Sequence, residues 1–169
     1  MTPTETGALT LTTPSDTEVV VARTFDAPRG LVWKAYTEPE HITQWMLGPA
    51  DWTMPVCELE LRPGAPYRFG WRKDDGQEME ITGVVREVSP PERLVITESW
   101  GSDWPEALNT IAFSEEDGRT TITTTIVYPS KEVRDAALGT GMADGMGMSY
   151  DRLDAYLKHL QREESDDAD

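Results

Sequence analysis

From Met54 to Tyr128 apolar and polar residues alternate with a period of two, and after Pro129 the period becomes helical. That change of period limits the fold more than any other feature. Consecutive half-buried strands make a sheet with one apolar face. A single amphipathic helix must bury its stripe, and the sheet is the only surface large enough to take it.

The strand-like segments are Met54–Leu61, Pro66–Arg72, Gln77–Val88, Arg93–Trp100, Thr110–Phe113 and Thr120–Tyr128. Pro63-Gly64, Asp74-Asp75-Gly76, Pro90-Pro91 and Glu116-Asp117-Gly118 separate them, and Asp75-Gly76 and Asp117-Gly118 are strong hairpin signals. Short loops between successive strands predict an antiparallel sheet. Upstream, β-branched Val19–Phe25 reads as one more strand. Pro28 suits the first position of a helix carrying Leu31, Val32, Ala35 and Tyr36. Thr37-Glu38-Pro39 breaks it and opens a second short helix with Ile42, Trp45 and Met46, which Gly48-Pro49 ends. Downstream, Ser130 reads as an N-cap. Met142, Met146, Tyr150, Leu153, Leu157 and Leu160 follow at spacings of four and three, the stripe of one long helix reaching about Gln161. Gly139, Gly141, Gly145 and Gly147 each cost that helix ~0.8–1 kcal/mol against Ala, so its first half is expected to be loose. The predicted architecture is α+β, a curved antiparallel sheet wrapped around a long C-terminal helix, with two short helices after the first strand. This is the helix-grip arrangement.

The 169 residues suit one domain. The expected organisation is a flexible N-terminal arm over 1–16, a single domain over 17–161 and an acidic disordered tail over 162–169, with Leu9 and Leu11 able to add edge-strand pairing. Net charge is −16, which repels nucleic acid and anionic membranes and favours solubility. The start carries neither a basic nor an apolar leader segment, and no apolar run reaches membrane-spanning length. Cys57 is the single cysteine, so no internal disulfide forms. A cytoplasmic protein is expected.

Five ordered motifs now carry a resemblance. They are Val20-Val21-Ala22-Arg23-Thr24-Phe25-Asp26-Ala27-Pro28-Arg29 with Leu31-Val32-Trp33-Lys34-Ala35; Thr37-Glu38-Pro39-Glu40-His41-Ile42 with Gln44-Trp45 and Gly48-Pro49; Glu60-Leu61-Arg62-Pro63-Gly64; Pro90-Pro91-Glu92-Arg93-Leu94-Val95; and Gly141-Met142, Gly145 and Ser149-Tyr150-Asp151-Arg152-Leu153. The chain resembles the START-like SRPBCC superfamily, in the branch of homologues of the activator of the heat-shock-protein-90 ATPase. It departs from the branch at Trp45-Met46, where a tryptophan pair is usual, at Glu60, where Asp is usual, and at Gly64-Ala65, where Gly-Gly is usual. The eukaryotic activators carry a separate N-terminal domain with no counterpart in these residues. A co-chaperone role is therefore not the leading expectation.

The resemblance implies a cavity between sheet and helix. Its expected ligand-binding walls are Trp45, Trp52, Met54, Tyr67, Phe69, Trp71, Met79, Trp100, Met142, Met146 and Tyr150, with Trp104 in the same aromatic set. Tyr67, Phe69 and Trp71 share one strand face, and Arg68 and Arg72 the other. A carboxylate in such a pocket has its pKa raised by desolvation and can move protons, which makes Glu80 and Glu98 candidates for catalysis, and Tyr150 on the helix stripe is a third, able to orient a ligand carbonyl. Glu78 and Glu80 share one face, as do Glu98 and Trp100. Arg62 is expected to pair with Glu60 or Asp51. His41 and His159, on different helices without a Cys pair, do not make a zinc site, and His159 suits a helix C-terminus. No phosphate loop or nucleophile elbow is present, and Cys57 reads as a structural thiol. No cofactor and no metal are expected.

The leading expectation is a non-enzymatic binder of a small hydrophobic or aromatic molecule. One alternative is a polyketide cyclase or dehydratase-like enzyme using pocket carboxylates. The other is a stress-related protein-interaction module. Dimers occur among relatives, so a homodimer is also an expectation.

Overall fold

Period-two alternation becomes eight antiparallel strands in the computed structural model, which describes residues 9–101 and 105–167, with side chains described as far as Glu163. The order along the chain is β1 (Thr10–Thr12), β2 (Glu18–Phe25), α1 (Arg29–Thr37), α2 (Pro39–Trp45), β3 (Trp52–Glu58), β4 (Pro66–Lys73), β5 (Glu78–Ser89), β6 (Arg93–Glu98), β7 (Ala107–Glu116), β8 (Arg119–Val127), α3 (Lys131–Leu138) and α4 (Met142–Asp167). One sheet runs β1-β2-β8-β7-β6-β5-β4-β3. The fold is the expected α+β helix-grip.

Three local expectations change. Pro28 is the N-cap of α1, one residue before the helix proper. The single long helix is two. Ser130 caps α3 as expected, its hydroxyl accepting from the Val133 amide. The chain then turns at Gly139–Gly141, where Gly141 takes φ +82°, before α4 begins. The third difference lies at the C-terminal end, where α4 continues past Gln161 to Asp167. In the arm, Thr10–Thr12 pair with Val20–Ala22, the edge-strand pairing expected at Leu11. Residues 1–8 of the arm, and Ala168 and Asp169 of the tail, lie outside the described residues, as does Trp104.

The β7–β8 hairpin shows how local chemistry sets register. Asp117 and Gly118 both take positive φ, 54° and 78°, and Glu116 faces Arg119 across a two-residue turn. That geometry is tolerated by Asp and free for Gly. Register then fixes the faces. Val21, Arg23 and Phe25 of β2, Ile122, Thr124 and Ile126 of β8, and Asn109, Ile111 and Phe113 of β7 share the concave face. Leu94, Ile96 and Glu98 of β6 continue it.

The core lies between that face and the helices. Tyr150, Leu153 and Leu157 of α4 are buried against Phe25, Trp45 and Ile122 in one cluster. Phe25 meets Tyr150 edge-on at 5.6 Å between ring centroids, and the Trp45 indole N–H donates to the Ala35 carbonyl at 2.9 Å. Across β4 and β5, Tyr67 lies over Gly83 and its hydroxyl donates to the Thr97 carbonyl at 2.5 Å. A Cβ on Gly83 would strike that carbonyl oxygen and stand 2.5 Å from the Tyr67 ring.

Gly83→Ala should therefore destabilise the protein by about 1–3 kcal/mol, the usual cost of overpacking. Urea denaturation would show a lowered midpoint at unchanged slope. An unchanged midpoint would mean that Tyr67 does not occupy this position.

Candidate functional site

The large side chains expected to line a ligand cavity divide by depth. Trp45, Met54, Tyr67, Phe69 and Tyr150 are buried members of the core. Trp52, Met142 and Met146 are half-buried, Trp71 packs on the core from its edge, and Trp100 and Met79 are 38% and 44% exposed. Between sheet and α4 the side chains of Phe25, Trp45, Tyr150, Leu153 and Leu157 meet one another, because bulky aromatics on facing elements fill that space. Two recesses lie elsewhere. One of about 560 Å3 is bounded by Arg86, Val95, Thr97, Leu108, Val127 and their neighbours. The other, about 160 Å3, is lined by Pro55, Val56, Gly70, Trp71, Met79 and neighbouring charged residues. Neither takes a residue from α4, and the side chains between sheet and helix pack against one another beneath a partly open aromatic rim.

At that rim five groups form a chain. The Trp71 indole N–H donates to the Met46 carbonyl at 2.7 Å. The Trp71 ring stacks on Trp100, 5.8 Å between centroids and 18° between planes. The Trp100 N–H donates to Oε1 of Glu98, and the Asn109 amide donates to Oε2. Glu98 is thus held from both sides, on the concave face. Burial raises its pKa above the ordinary carboxylate value, against the opposing pull of the two hydrogen bonds. Its charge in turn adds to the effect of burial on Tyr36, Tyr67 and Tyr128, and the Tyr128 phenol is pushed up to about 12. The Tyr128 hydroxyl also approaches the Met142 sulfur at 3.6 Å.

Deeper, Arg23 and Thr124 of the same face meet Tyr36 of α1 and Tyr150 of α4. The Tyr36 and Tyr150 hydroxyls stand 3.4 Å apart. Arg23 is 4% exposed, pairs with Asp151 at 2.8 Å and lies over the Phe25 ring. Among the described residues, Arg23 Nε, Asn109 Oδ1 and Thr124 Oγ1 are buried without a hydrogen-bond partner. Sequence reasoning named Tyr150 here and missed Arg23, Tyr36, Thr124 and Asn109 as site residues. The Asn109 signal was available, since one amide shares the parity of apolar Ile111 and Phe113.

The other candidates fall away from this region. Glu80 is exposed on the convex face beside Glu78, because its parity is opposite to that of Met79 and Ile81, so it does not join Glu98 in acid–base work. Arg68 and Arg72 pair there with Glu58 and Glu78, each at 3.5 Å, and Arg62 pairs with Glu60 at 3.3 Å. Such exposed pairs contribute little. Burial pushes the half-buried Cys57 thiol up to about 11, which removes its nucleophilic form near neutrality. His159 pairs with Glu163 near the end of α4. His41 accepts or donates a 2.6 Å hydrogen bond with the Tyr156 hydroxyl and sits near Glu38 and Glu40, the one three-residue group of metal-binding side chains among the described residues. Among those residues, no helix is long and apolar enough to cross a membrane.

Residues 26–158 match the family model described as Activator of Hsp90 ATPase homolog 1-like protein. A crystal structure of a Rhodobacter sphaeroides protein is similar at 29% identity and a TM-score of 0.85, covering 89% of this chain and 98% of that one. Protein Ms6760 of Mycobacterium smegmatis, at 24% identity and a TM-score of 0.80 over 89% and 97% of the two chains, shares the fold. DynU16, a protein in the dynemicin biosynthetic locus, is 28% identical at a TM-score of 0.62, over 86% of this chain and 48% of its own. No curated protein matched the sequence.

The raised pKa of Glu98 makes stability depend on pH. Between the ordinary value of 4.5 and the raised value, the folded chain binds more protons than the unfolded one. Stability is therefore lost as pH rises through that window. Glu98→Gln lacks this loss, so urea denaturation should show the variant gaining on wild type across the window and holding a constant difference above it. A difference that does not change with pH would mean that Glu98 ionises as freely as in the unfolded chain.

Proposed function

The chain belongs to the Activator of Hsp90 ATPase homolog 1-like family, a family of ligand-binding domains, and on that premise we propose that it binds a small, largely aromatic molecule at Glu98. The observation that carries this reading is the Glu98 carboxylate itself. It faces the concave side of the sheet, fixed by Trp100 and Asn109 rather than by a cation. Half-buried and aimed at the concave side, the carboxylate offers a ligand hydroxyl or N–H a strong, oriented acceptor. The stacked indoles supply the aromatic surface, with Trp100 the more exposed of the two. Met79, Met142 and Met146 supply soft side chains that adapt to irregular ligands. Similarity to a protein of the dynemicin biosynthetic locus agrees with a small-molecule ligand.

The same carboxylate supports a second use, as a general acid or base acting on the bound molecule, since burial raises its pKa. Interaction with another protein would instead use the convex face. Leu108 and Val127 oppose each other there, 40% and 38% exposed, beside the larger recess.

A thermal-shift screen of aromatic polyketides, flavonoids, fatty acids and sterols tests the binding reading. A ligand at about 100 times its dissociation constant adds ~2.7 kcal/mol, a rise of roughly 5–10 °C for a chain of this size. Trp71→Ala and Glu98→Gln should each abolish most of that rise. Shifts that survive both variants, or that vanish only in Leu108→Asp, would place the ligand elsewhere.

A further inference from the structure

The larger recess lies on the opposite side of the sheet from Glu98, where Thr97 pairs with Leu108 and Leu108 with Val127. Its volume of about 560 Å3 is that of a small-molecule site. Val95 and Thr97 line it and are only 8% and 3% exposed, although no helix contributes to its walls. The Thr97 hydroxyl accepts from the Val84 amide at 2.8 Å and the Thr97 carbonyl accepts from Tyr67, so this floor is fixed. Arg86 lines the same recess, and two features set it apart. Val85 pairs with Ile96 and Glu87 with Val95, so Arg86 is the extra residue of a bulge. Bulges re-aim side chains and are frequent beside binding sites. The other arginines on the strands, Arg23, Arg68, Arg72, Arg93 and Arg119, each stand beside a carboxylate. Arg86 has neither ion pair nor hydrogen bond among the described residues, in a chain with 31 acids to 15 bases. Its guanidinium is available to an anion from outside.

We propose that this recess binds a monoanionic organic acid, whose apolar body covers Val95, Leu108 and Val127 and whose carboxylate pairs with Arg86. A planar guanidinium matches a carboxylate with two parallel N–H···O bonds. The exposed surface of Leu108 and Val127 leaves water in the same step. Glu106, also exposed and on the wall of the recess, repels a second negative charge and so disfavours dicarboxylates and phosphate dianions. The site is independent of the one proposed at Glu98 and opposite to it in chemistry. Glu98 offers an acceptor and repels anions, whereas Arg86 offers donors. Neutral aromatic molecules and organic acids therefore sort to opposite faces of the sheet.

The test uses the full chain and two probes of similar shape, 2-naphthoate and its methyl ester, which differ in charge. Titrations followed by two-dimensional NMR read affinity site by site. The Leu108 and Val127 amides report the recess, and the Trp71 and Trp100 indoles report the rim. At the recess, wild type should bind naphthoate at least about tenfold more tightly than the ester, in line with a charge-assisted hydrogen bond. Arg86→Gln should bring that ratio close to one, and Glu106→Gln should tighten naphthoate. Leu108→Asp should weaken both probes, whereas Glu98→Gln should leave the affinities at the recess unchanged. Equal affinities in wild type, a ratio that survives Arg86→Gln, or naphthoate shifts centred on the rim indoles would each overturn the proposal. Absence of saturable naphthoate binding would overturn it too. If the protein then self-associates in a way that Leu108→Asp abolishes, the face belongs to a second copy of the chain. A ligand-free measurement adds a further arm. Because Arg86 has no partner in the folded chain, Arg86→Gln should leave the melting temperature within about 2 °C of wild type. A fall of more than about 5 °C would show that Arg86 serves the fold, and would also overturn the proposal.

Discussion

Burial of one helical stripe organises this protein. Tyr150, Leu153 and Leu157 can leave water only by entering the concave face of the sheet, and everything near the candidate site follows from where α4 then lies. Ser149 Oγ accepts from the Gly48 amide at 2.8 Å, and Arg152 donates to the Gly48 carbonyl. These contacts hold the connection that leaves α2. Two residues earlier, the Met46 carbonyl takes the Trp71 indole N–H, Trp71 stacks on Trp100, and Trp100 holds Glu98. A helix packed for apolar reasons thus positions a carboxylate several contacts away.

The concave face is not uniformly apolar, and its polar groups oppose stability. Leaving a buried donor or acceptor unmet costs about 1–3 kcal/mol, so three unpartnered atoms on Arg23, Asn109 and Thr124 are a substantial burden for one domain. Burial of the Glu98 carboxylate adds to it. Retained expense of this kind is characteristic of sites where binding competes with folding stability. By contrast the convex face carries ordinary exposed ion pairs, such as Arg68 with Glu58 and Arg72 with Glu78, that neither strain the fold nor direct chemistry.

Much of the fold was legible in the sequence, because strand parity and helical spacing are local properties. The faces of β4, the Asp117-Gly118 hairpin and the Ser130 cap follow from a few adjacent residues. The break at Gly139–Gly141 was visible only as a cost, since glycine weakens a helix without saying whether it stops there. The site was less legible. Parity tells which face a side chain takes but not its depth, so Trp45 and Trp71 looked alike although one lies in the core and the other at the rim. Glu80 was placed with Glu98 although Met79 and Ile81 already assigned it the opposite face. Tyr36 and Thr124 were hidden because their hydroxyls meet only after α1, β8 and α4 come together, a contact with no sequence-local trace.

The central claim is that a small aromatic molecule is held at Glu98 by the Trp71–Trp100 stack. Six indole N–H groups give the protein a direct reporter, since Trp71 and Trp100 lie at the rim and Trp33 and Trp45 in the core. Titration of nitrogen-labelled protein with an aromatic ligand, followed by two-dimensional NMR, reads each indole separately. The account predicts saturable shifts at Trp100 and Trp71, with Trp33 and Trp45 nearly still, and their loss in Glu98→Gln. Shifts confined to Leu108, Val127 and their neighbours on the convex face, with both rim indoles unmoved, would contradict it.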